Sequence, residues 1–310
     1  YEGLFKKIEK KLSNKIDKIY IITDNYTNDL PFGFFYDKNT NKYLIQKFSI
    51  GYTPSVGSFI ELRKKKPKKL FVKNSNFLGI GNPNLSKVSQ KKTFKDLSLF
   101  NLSTRGILKD KSLITDNFES IPYTKKEIKA LSKYFKNRKI LLSSDANENN
   151  LKSLDLFKFN IISFATHAAV SGSLEGTSEP FLVLTPPKIS NEINDGILTA
   201  SEITQLNLDA DLVLLSACDT ASKENQYSPG FSGLVASFIQ AGSKNVLATH
   251  WPVADKATSI MVLETIKKVR KQKMEIVEAL KLTKIEFING KYGNKYKNPF
   301  YWAPYILIGS

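Results

Sequence analysis

Cysteine and histidine are scarce in this chain of 310 residues, which contains one cysteine, Cys218, and two histidines, His167 and His250. A single cysteine excludes an internal disulfide framework. Structural zinc sites take four nitrogen or sulfur ligands, so these three residues argue against a metal site. We therefore expect no metal or other cofactor, and we expect any thiol chemistry to be that of a free cysteine.

Long apolar runs are also missing. No stretch approaches the ~20 residues that a membrane-spanning helix needs, and the first residues, YEGLFKK, lack the apolar core of a signal peptide. These absences predict a cytoplasmic chain with no membrane partner. The sequence starts at Tyr1 without an initiator methionine, so we expect it to be part of a longer protein.

Arginine is the third scarce residue. Only four of the 46 basic side chains are arginine, although the net charge is +17. Arginine is the side chain that best forms bidentate contacts with phosphates and bases. Because scattered lysines supply most of the charge, the sequence favours a soluble basic surface. Nucleic acid remains open as a partner but is not favoured.

Short apolar runs alternate with helical patterns, which predicts an α/β fold with a largely parallel sheet. The runs at 161–165, 212–215 and 246–248 are apolar almost throughout, as in strands buried on both faces. The predicted strands are 18–23, 43–48, 70–72, 77–80, 139–143, 159–165, 181–184, 212–217, 244–249 and 305–308. The predicted helices are 54–65, 125–135, 199–205, 231–241, 255–270 and 275–288.

Three helix ends carry local signals. Thr124 with Glu127, and Thr199 with Glu202, match the spacing of a capping box and predict two helix starts. Gly242 suits the position that follows a helix, where a left-handed backbone is common. These signals predict where the helices begin and end independently of the apolar pattern.

Cys218 and His167 each follow a buried predicted strand. In open α/β sheets, ligand sites form outside the carboxyl ends of the strands. If these two strands are neighbours, both side chains reach one crevice. They are 51 residues apart, and a histidine about 50 residues before the cysteine is the caspase spacing.

The pair has a definite chemical meaning. A thiolate is a strong nucleophile, and an imidazole beside it shuttles the proton. We therefore expect Cys218 to attack a peptide carbonyl and His167 to act as acid and base. The backbone N–H groups of Cys218 and Ala168 are candidates for the oxyanion hole.

Other interpretations of these residues stay open. A cysteine after a buried strand is often only a small packed hydrophobe. His250 follows another apolar strand and is a rival base, although its segment with Trp251 is more typical of a pocket wall. Asp255 is either a helix cap or a carboxylate that selects a basic side chain.

The sequence resembles the CHAT family of caspase-like domains, which are related to caspases and separases. The resemblance lies in short motifs that follow the family order and together cover about residues 18–310. They are PFGFF at 31–35, YTPS at 52–55, GIGNP at 79–83, FATH at 164–167, EP at 179–180, LVL at 182–184, DGILTASEI at 195–203, LSACDT at 215–220, GL at 233–234, AG at 241–242, WPV at 251–253 with Asp255, and YWAPY at 301–305.

The resemblance implies a caspase-like three-layer sandwich, with a central, mainly parallel sheet flanked by helices. It implies a degenerate, pseudo-caspase-like N-terminal part at 1–122 and an active part at 123–310. The polar, aperiodic stretch at 87–122 fits a long excursion between them.

The resemblance also implies a Cys–His dyad, which falls on Cys218 and His167. By analogy with separases, Trp251 and Asp255 belong to the substrate-binding region, and Asp255 favours Arg or Lys before the cut bond. Many caspase-like enzymes have glycine after the catalytic histidine, where this chain has Ala168. Family members often follow tetratricopeptide repeats, so upstream repeats or a regulatory partner are expected.

The sequence thus predicts a cysteine endopeptidase, a hydrolase of the thiol protease class, that cleaves a protein substrate under the control of such a partner. The alternative is a non-catalytic caspase-like scaffold or sensor that binds protein partners. Activity that depends on Cys218 distinguishes the two.

Overall fold

The fold is taken from a computed structural model, which describes residues 1–24, 27, 30–64, 75–85, 114, 118–171, 177–187, 194–216, 233–253 and 255–310, with the backbone alone at Asp255. Among the sequence predictions, the ends of the helices at 54–65 and 231–241 and of the strand at 212–217 lie outside these residues, and three further predictions lie mostly or wholly outside them. They are the strand at 70–72, most of the excursion at 87–122, and the position of Cys218.

The strands of the described ranges form one large sheet, a three-stranded sheet and a hairpin. The large sheet contains β1 (Lys18–Ile21), β4 (Ser49–Tyr52), β5 (Asn76–Pro83), β6 (Asn137–Ser143), β7 (Ile161–Ala165), β11 (Leu212–Leu215), β12 (Val246–Thr249) and β13 (Tyr305–Ile308). The small sheet contains β8 (Ala168–Ala169), β9 (Phe181–Val183) and β10 (Ile197–Thr199), and the hairpin contains β2 (Tyr36–Asp37) and β3 (Lys42–Tyr43).

The large sheet has eight strands in the order β1-β4-β13-β12-β11-β7-β5-β6. The strands β12, β11, β7, β5 and β6 form one parallel group, and β13, β4 and β1 form a second parallel group. The single antiparallel pairing joins β12 to β13. The mainly parallel sheet predicted from the apolar runs is confirmed.

Strands from both sides of residue 122 are interleaved in this sheet. β5 lies between β7 and β6, and β13 pairs with β4 near the N-terminus. One apolar cluster runs from Phe5 to Ile308. The division into 1–122 and 123–310 stays a prediction.

The helices of the described residues are α1 (Lys6–Glu9), α2 (Leu44–Lys47), α3 (Val56–Lys64), α4 (Pro122–Ser132), α5 (Glu148–Lys152), α6 (Ala200–Thr204), α7 (Gly233–Gln240), α8 (Asp255–Gln272) and α9 (Ile276–Ile288). One packed group contains α4, α8 and α9, and a second contains α6 and α7. α4 lies against β5, β6 and β7, while α7 lies against β12. The flanking helices complete the layered α/β architecture.

The strand predicted at 43–48 is wrong. Its middle is the single turn α2, and the strand of the large sheet follows as β4. Tyr43 N donates to the Gln46 side chain, an interaction that starts the turn. A short apolar run does not distinguish a buried strand from a buried helical turn.

The capping box predicted at Thr124 is also wrong, whereas the one at Thr199 is confirmed. α4 begins earlier, at Pro122, because proline suits the first turn of a helix. The Thr124 hydroxyl donates to the Ile121 carbonyl and accepts from Asn82 N, at the end of β5. At the second site, Thr199 N donates to Glu202 at 2.9 Å, and α6 follows.

No helix in the described ranges has the length and apolar character to cross a bilayer.

Candidate active site

β7 and β11 are hydrogen-bonded parallel neighbours, as the site hypothesis requires. Phe164 of β7 is in register with Leu215 of β11. Ser216 N then donates to the Phe164 carbonyl at 2.9 Å, which extends the pairing beyond the strand. Parallel strands end at the same edge of a sheet, so the residues that follow β7 and β11 emerge side by side.

His167 stands at this edge, partly buried. Its Nε2 lies 2.7 Å from the carbonyl oxygen of Glu119, and its ring centroid is 5.3 Å from that of Phe118. A carbonyl only accepts hydrogen bonds, so Nε2 carries a proton and donates it. Nδ1 of the neutral ring is then the basic nitrogen.

A cavity of about 50 Å³ opens beside His167. The ends of three strands and the first turns of α4 and α8 surround it. The lining residues are Ile121, Tyr123, Thr124, Glu127, Thr166, His167, Ser216, Thr249, Val253 and Thr258. The cavity therefore lies at the carboxyl edge of the sheet, where α/β proteins bind their ligands.

Glu127 is the acidic residue of this lining. The sequence pattern assigned it to a helix cap, but its side chain is only 2% exposed and faces the cavity from α4. Glu127 lies three residues after Thr124 and four before Leu131, which are both buried, so it falls on the face of α4 that packs against the sheet. The Thr166 hydroxyl, also in the lining, donates to the Val183 carbonyl and ties β7 to the small sheet.

Cys218 lies outside the described residues. The chain is described up to Ser216, which lines the cavity with His167 and precedes Cys218 by two residues. The thiol–imidazole pair therefore remains a prediction.

Ala168 follows His167 in β8, where it pairs with Leu182 of β9. Val183 N donates to the His167 carbonyl at 2.9 Å, which makes His167 and Val183 a hydrogen-bonded pair. In an antiparallel ladder such pairs alternate with non-hydrogen-bonded ones. The Ala168 N–H consequently points away from β9.

Trp251 and Asp255 follow β12. The Trp251 indole donates to the Phe300 carbonyl at 3.1 Å, and the two rings lie 6.4 Å apart. Asp255 is the first residue of α8. Val253 between them lines the cavity.

His250 occupies a different environment. It is buried, and its pKa is lowered to about 4 by burial and by the positive charge of Lys284. Burial also lowers the pKa of Lys284 to about 7, and the Lys284 ammonium donates to the Tyr305 carbonyl at 2.5 Å. His250 is thus neutral at physiological pH and lies outside the lining of the described cavity.

Within the described ranges, no three His, Cys, Asp or Glu side chains are grouped as a metal ion would require.

Comparison with known proteins finds a relative that is similar in sequence to most of this chain. Over 317 residues the chain is 21% identical to tetratricopeptide repeat protein 28 of Homo sapiens, a match that covers 91% of this chain but 11% of that protein. The chain thus spans only a small part of this relative.

Two solved structures share the fold. Separase from Saccharomyces cerevisiae, in complex with securin, superposes over 98% of this chain and 16% of its own, with a TM-score of 0.57 and 16% identity. The Arg-specific cysteine proteinase gingipain R superposes over 98% of this chain and 65% of its own, with a TM-score of 0.56 and 10% identity. At these identities the likeness shows the fold alone.

The chain therefore has a caspase-like α/β fold, and this confirms the expected architecture. A family model described as the CHAT domain matches residues 1–310, so the chain belongs to the CHAT domain family.

Proposed function

We propose that this protein is a cysteine endopeptidase in which Cys218 and His167 form the catalytic dyad. The observation that carries the proposal is the shared cavity of His167 and Ser216, at the adjacent ends of β7 and β11. Cys218 follows Ser216 by two residues, and the family and fold are those of caspase-like proteins.

The proposed reaction has two stages. In the first, His167 Nδ1 takes the proton of the Cys218 thiol, and the thiolate adds to the carbonyl carbon of the substrate. The C–N bond then breaks, and Nδ1 gives that proton to the leaving amine. This leaves a thioester. In the second, His167 Nδ1 takes a proton from water, the hydroxide attacks the thioester, and the C–S bond breaks to restore the thiolate.

The contact between His167 and Glu119 supports this division of roles. Nε2–H stays bonded to the Glu119 carbonyl, which orients the ring and leaves Nδ1 to exchange protons with the thiol and the substrate. A backbone acceptor is well suited to this task because it does not titrate. Glu119 O is thus a positioning group.

The proposed oxyanion hole uses the N–H groups of Ala168 and Cys218. For Ala168 the support is the ladder geometry, which directs its N–H away from β9. Losing one such donor typically costs ~10²–10³ in rate.

For substrate choice we propose that Asp255 and Trp251 contact the residue before the cut bond and that Asp255 favours Arg or Lys. Their place after β12, on either side of the cavity residue Val253, supports this assignment. Asp255→Asn should then lower kcat/KM for peptides with Arg or Lys at that position, but not for peptides with a neutral residue there. An equal loss for both sets of peptides would refute the selection role.

We propose regulation by upstream repeats or by a partner protein. The support is indirect: the human relative is a tetratricopeptide repeat protein, and the separase structure is a complex with securin. The test is to measure the cleavage rate of the full-length protein and of a form that lacks any region preceding this chain. Equal rates in both forms would argue against control by upstream repeats.

The experiment for the dyad compares cleavage of a peptide library by the wild type, Cys218→Ala and His167→Ala. We expect no cleavage by Cys218→Ala and a loss of ~10²–10⁴ in kcat for His167→Ala. His250 is the rival base, and we expect the folded fraction of His250→Ala to retain most of the wild-type activity. Cleavage that persists in Cys218→Ala would exclude the proposed mechanism, and a wild type that binds partners without cleaving any library member would favour the scaffold alternative.

A further inference from the structure

The segment 122–143, which forms α4 and β6, concentrates positive charge. Seven of its 22 residues are basic, about twice the proportion in the whole chain, and its one acidic residue, Glu127, is buried. All seven cations are exposed: Lys125, Lys126, Lys129, Lys133, Lys136, Arg138 and Lys139.

Three of these cations form a line along the outer side of α4, the lysine row of Lys125, Lys129 and Lys133. Residues four apart lie on the same helix face, and Lys133, at the end of α4, keeps helical backbone angles. At 1.5 Å per residue the row is about 12 Å long. It starts beside Tyr123 and Thr124, which line the His167 cavity.

The surroundings of the row add positive charge. α8 packs beside α4, and the Lys271 ammonium at its end lies 5.9 Å from the ring of Tyr134. Arg138, at the start of β6, donates to the backbone carbonyls at the end of α4. No described carboxylate lies within 4 Å of any ammonium of the row.

A charged helix face is often only a solvated surface, but the position of this one, aligned along a helix that borders the His167 cavity, sets it apart. Like charges four residues apart destabilise a helix, so the row has a cost within the folded chain. Elsewhere in the structure Lys18, Lys47 and Lys152 each contact two carboxylates. Like other exposed lysines of the described residues, such as Lys10, Lys11 and Lys15, the row has no such neighbour, so its charge is available to an acidic partner.

We propose that the lysine row is a docking surface for an acidic segment of the protein substrate. That the partner is a substrate rests on the proposed peptidase function; that it is an acidic polypeptide rests on the row itself. Lysine forms point-charge contacts that suit flexible carboxylates, whereas phosphate and base recognition favours arginine. An extended chain advances about 3.3 Å per residue, so the row spans about four residues of substrate, beginning close to the cut bond.

The test measures binding without catalysis, in the Cys218→Ala background. The full chain is titrated into a fluorescein-labelled peptide of about 20 glutamates and a labelled oligothymidylate of about 20 nucleotides, in about 50 and 300 mM NaCl. The row variant is K125E/K129E/K133E, and the control K10E/K11E/K15E reverses three exposed lysines in the N-terminal segment, with the same change in net charge. Circular dichroism and thermal melting establish that each variant is folded.

We expect the glutamate peptide to bind the Cys218→Ala protein, and to bind it more weakly at high salt. The affinity should be at least about tenfold lower for the row variant and should stay within about twofold for the control variant. An equal loss in both variants would show that net charge alone drives binding. Absence of peptide binding, or a preference for the oligonucleotide that depends on the row, would overturn the proposal.

Because this readout needs no turnover, it can fail or succeed independently of the peptidase proposal. Where cleavage is measurable, the row variant should raise KM for a substrate with an acidic extension and leave kcat/KM for a short neutral peptide unchanged.

Discussion

The imidazole Nε2 of His167 lies 2.7 Å from the carbonyl oxygen of Glu119, a residue 48 positions earlier in the chain. The histidine comes from the edge of the sheet and the carbonyl from the segment that leads into α4. Because this acceptor belongs to the backbone, the tautomer of His167 depends on the path of the chain and not on a neighbouring side chain.

The first prediction concerns that tautomer. When its imidazole ring is neutral, His167 should carry its proton on Nε2. Glu119→Ala should leave the proton there because the backbone carbonyl remains. Long-range ¹H–¹⁵N spectra distinguish the tautomers, and His167→Gln assigns the signals of the chain's two histidines. A neutral His167 protonated on Nδ1 would contradict the arrangement.

The second prediction concerns His250, whose pKa is lowered to about 4 by burial first and by the Lys284 charge second. Lys284→Met should therefore raise the pKa of His250 as followed by NMR. Lys281→Met removes a partly buried cation one turn away and should have little effect. An unchanged His250 pKa in Lys284→Met would show that the two groups do not interact.

The same residue gives a pH dependence of stability. The pKa of His250 is lower in the folded chain than in the unfolded one, so the unfolded chain binds the proton first as pH falls from about 6.5 to about 4. The contribution of neutral His250 to the free energy of unfolding is fully present above about pH 6.5. It decreases by up to about 3 kcal/mol as the pH falls toward 4. Denaturant unfolding of the wild type and His250→Gln across this range would measure it, and parallel curves would contradict it.

The third prediction concerns Gly242, which follows α7 with φ of +117°. A Cβ at this position would lie 2.1 Å from the Leu208 carbonyl oxygen. Gly242→Ala should lower the free energy of unfolding by about 1–3 kcal/mol or more. Gly57→Ala, at an exposed position in α3 where a Cβ would lie at an ordinary contact distance of 3.7 Å from the Ser55 hydroxyl, should be neutral or slightly stabilising. A similar loss at both positions would argue against this geometry.

The fourth prediction concerns a buried ion pair at the amino ends of two neighbouring strands, where Asp211 precedes β11 and Lys244 precedes β12. Lys244 Nζ lies 2.7 Å from Asp211 Oδ1, with both side chains no more than 5% exposed. Lys244→Met alone should cost about 3–5 kcal/mol because it leaves a buried carboxylate without its cation. Lys244→Met with Asp211→Leu should recover much of that loss, and a double variant as unstable as the sum of the singles would contradict the coupling.

The sequence predicted the part of the fold that rests on continuous apolar runs. β7, β11 and β12 bury both faces, so their composition alone identified them and placed His167 at a carboxyl edge. The same reasoning failed at 43–48, where helical and extended backbones both bury a short apolar run. The prediction of Cys218 beside His167 remains untested.

Features that depend on tertiary contacts could not be predicted. Glu119 contributes a carbonyl, which every residue has, so no side-chain pattern marks it. Glu127 was assigned to a cap by its spacing, and only its burial beside Thr124 in the folded chain shows that it lines the cavity. The lysine row looked scattered in the sequence because its four-residue spacing becomes a line only on a helix.

The central claim is that Cys218 is a nucleophile activated by His167. Intact-mass spectrometry of the protein after treatment with a peptidyl acyloxymethyl ketone ending in Arg tests it directly, because the chain has one thiol to label. We predict one adduct in the folded wild type and in His250→Ala, labelling slower by at least about tenfold in His167→Ala, and no adduct in Cys218→Ala. A thiol that stays unlabelled in the folded wild type, or that reacts at the same rate without His167, would contradict the assignment.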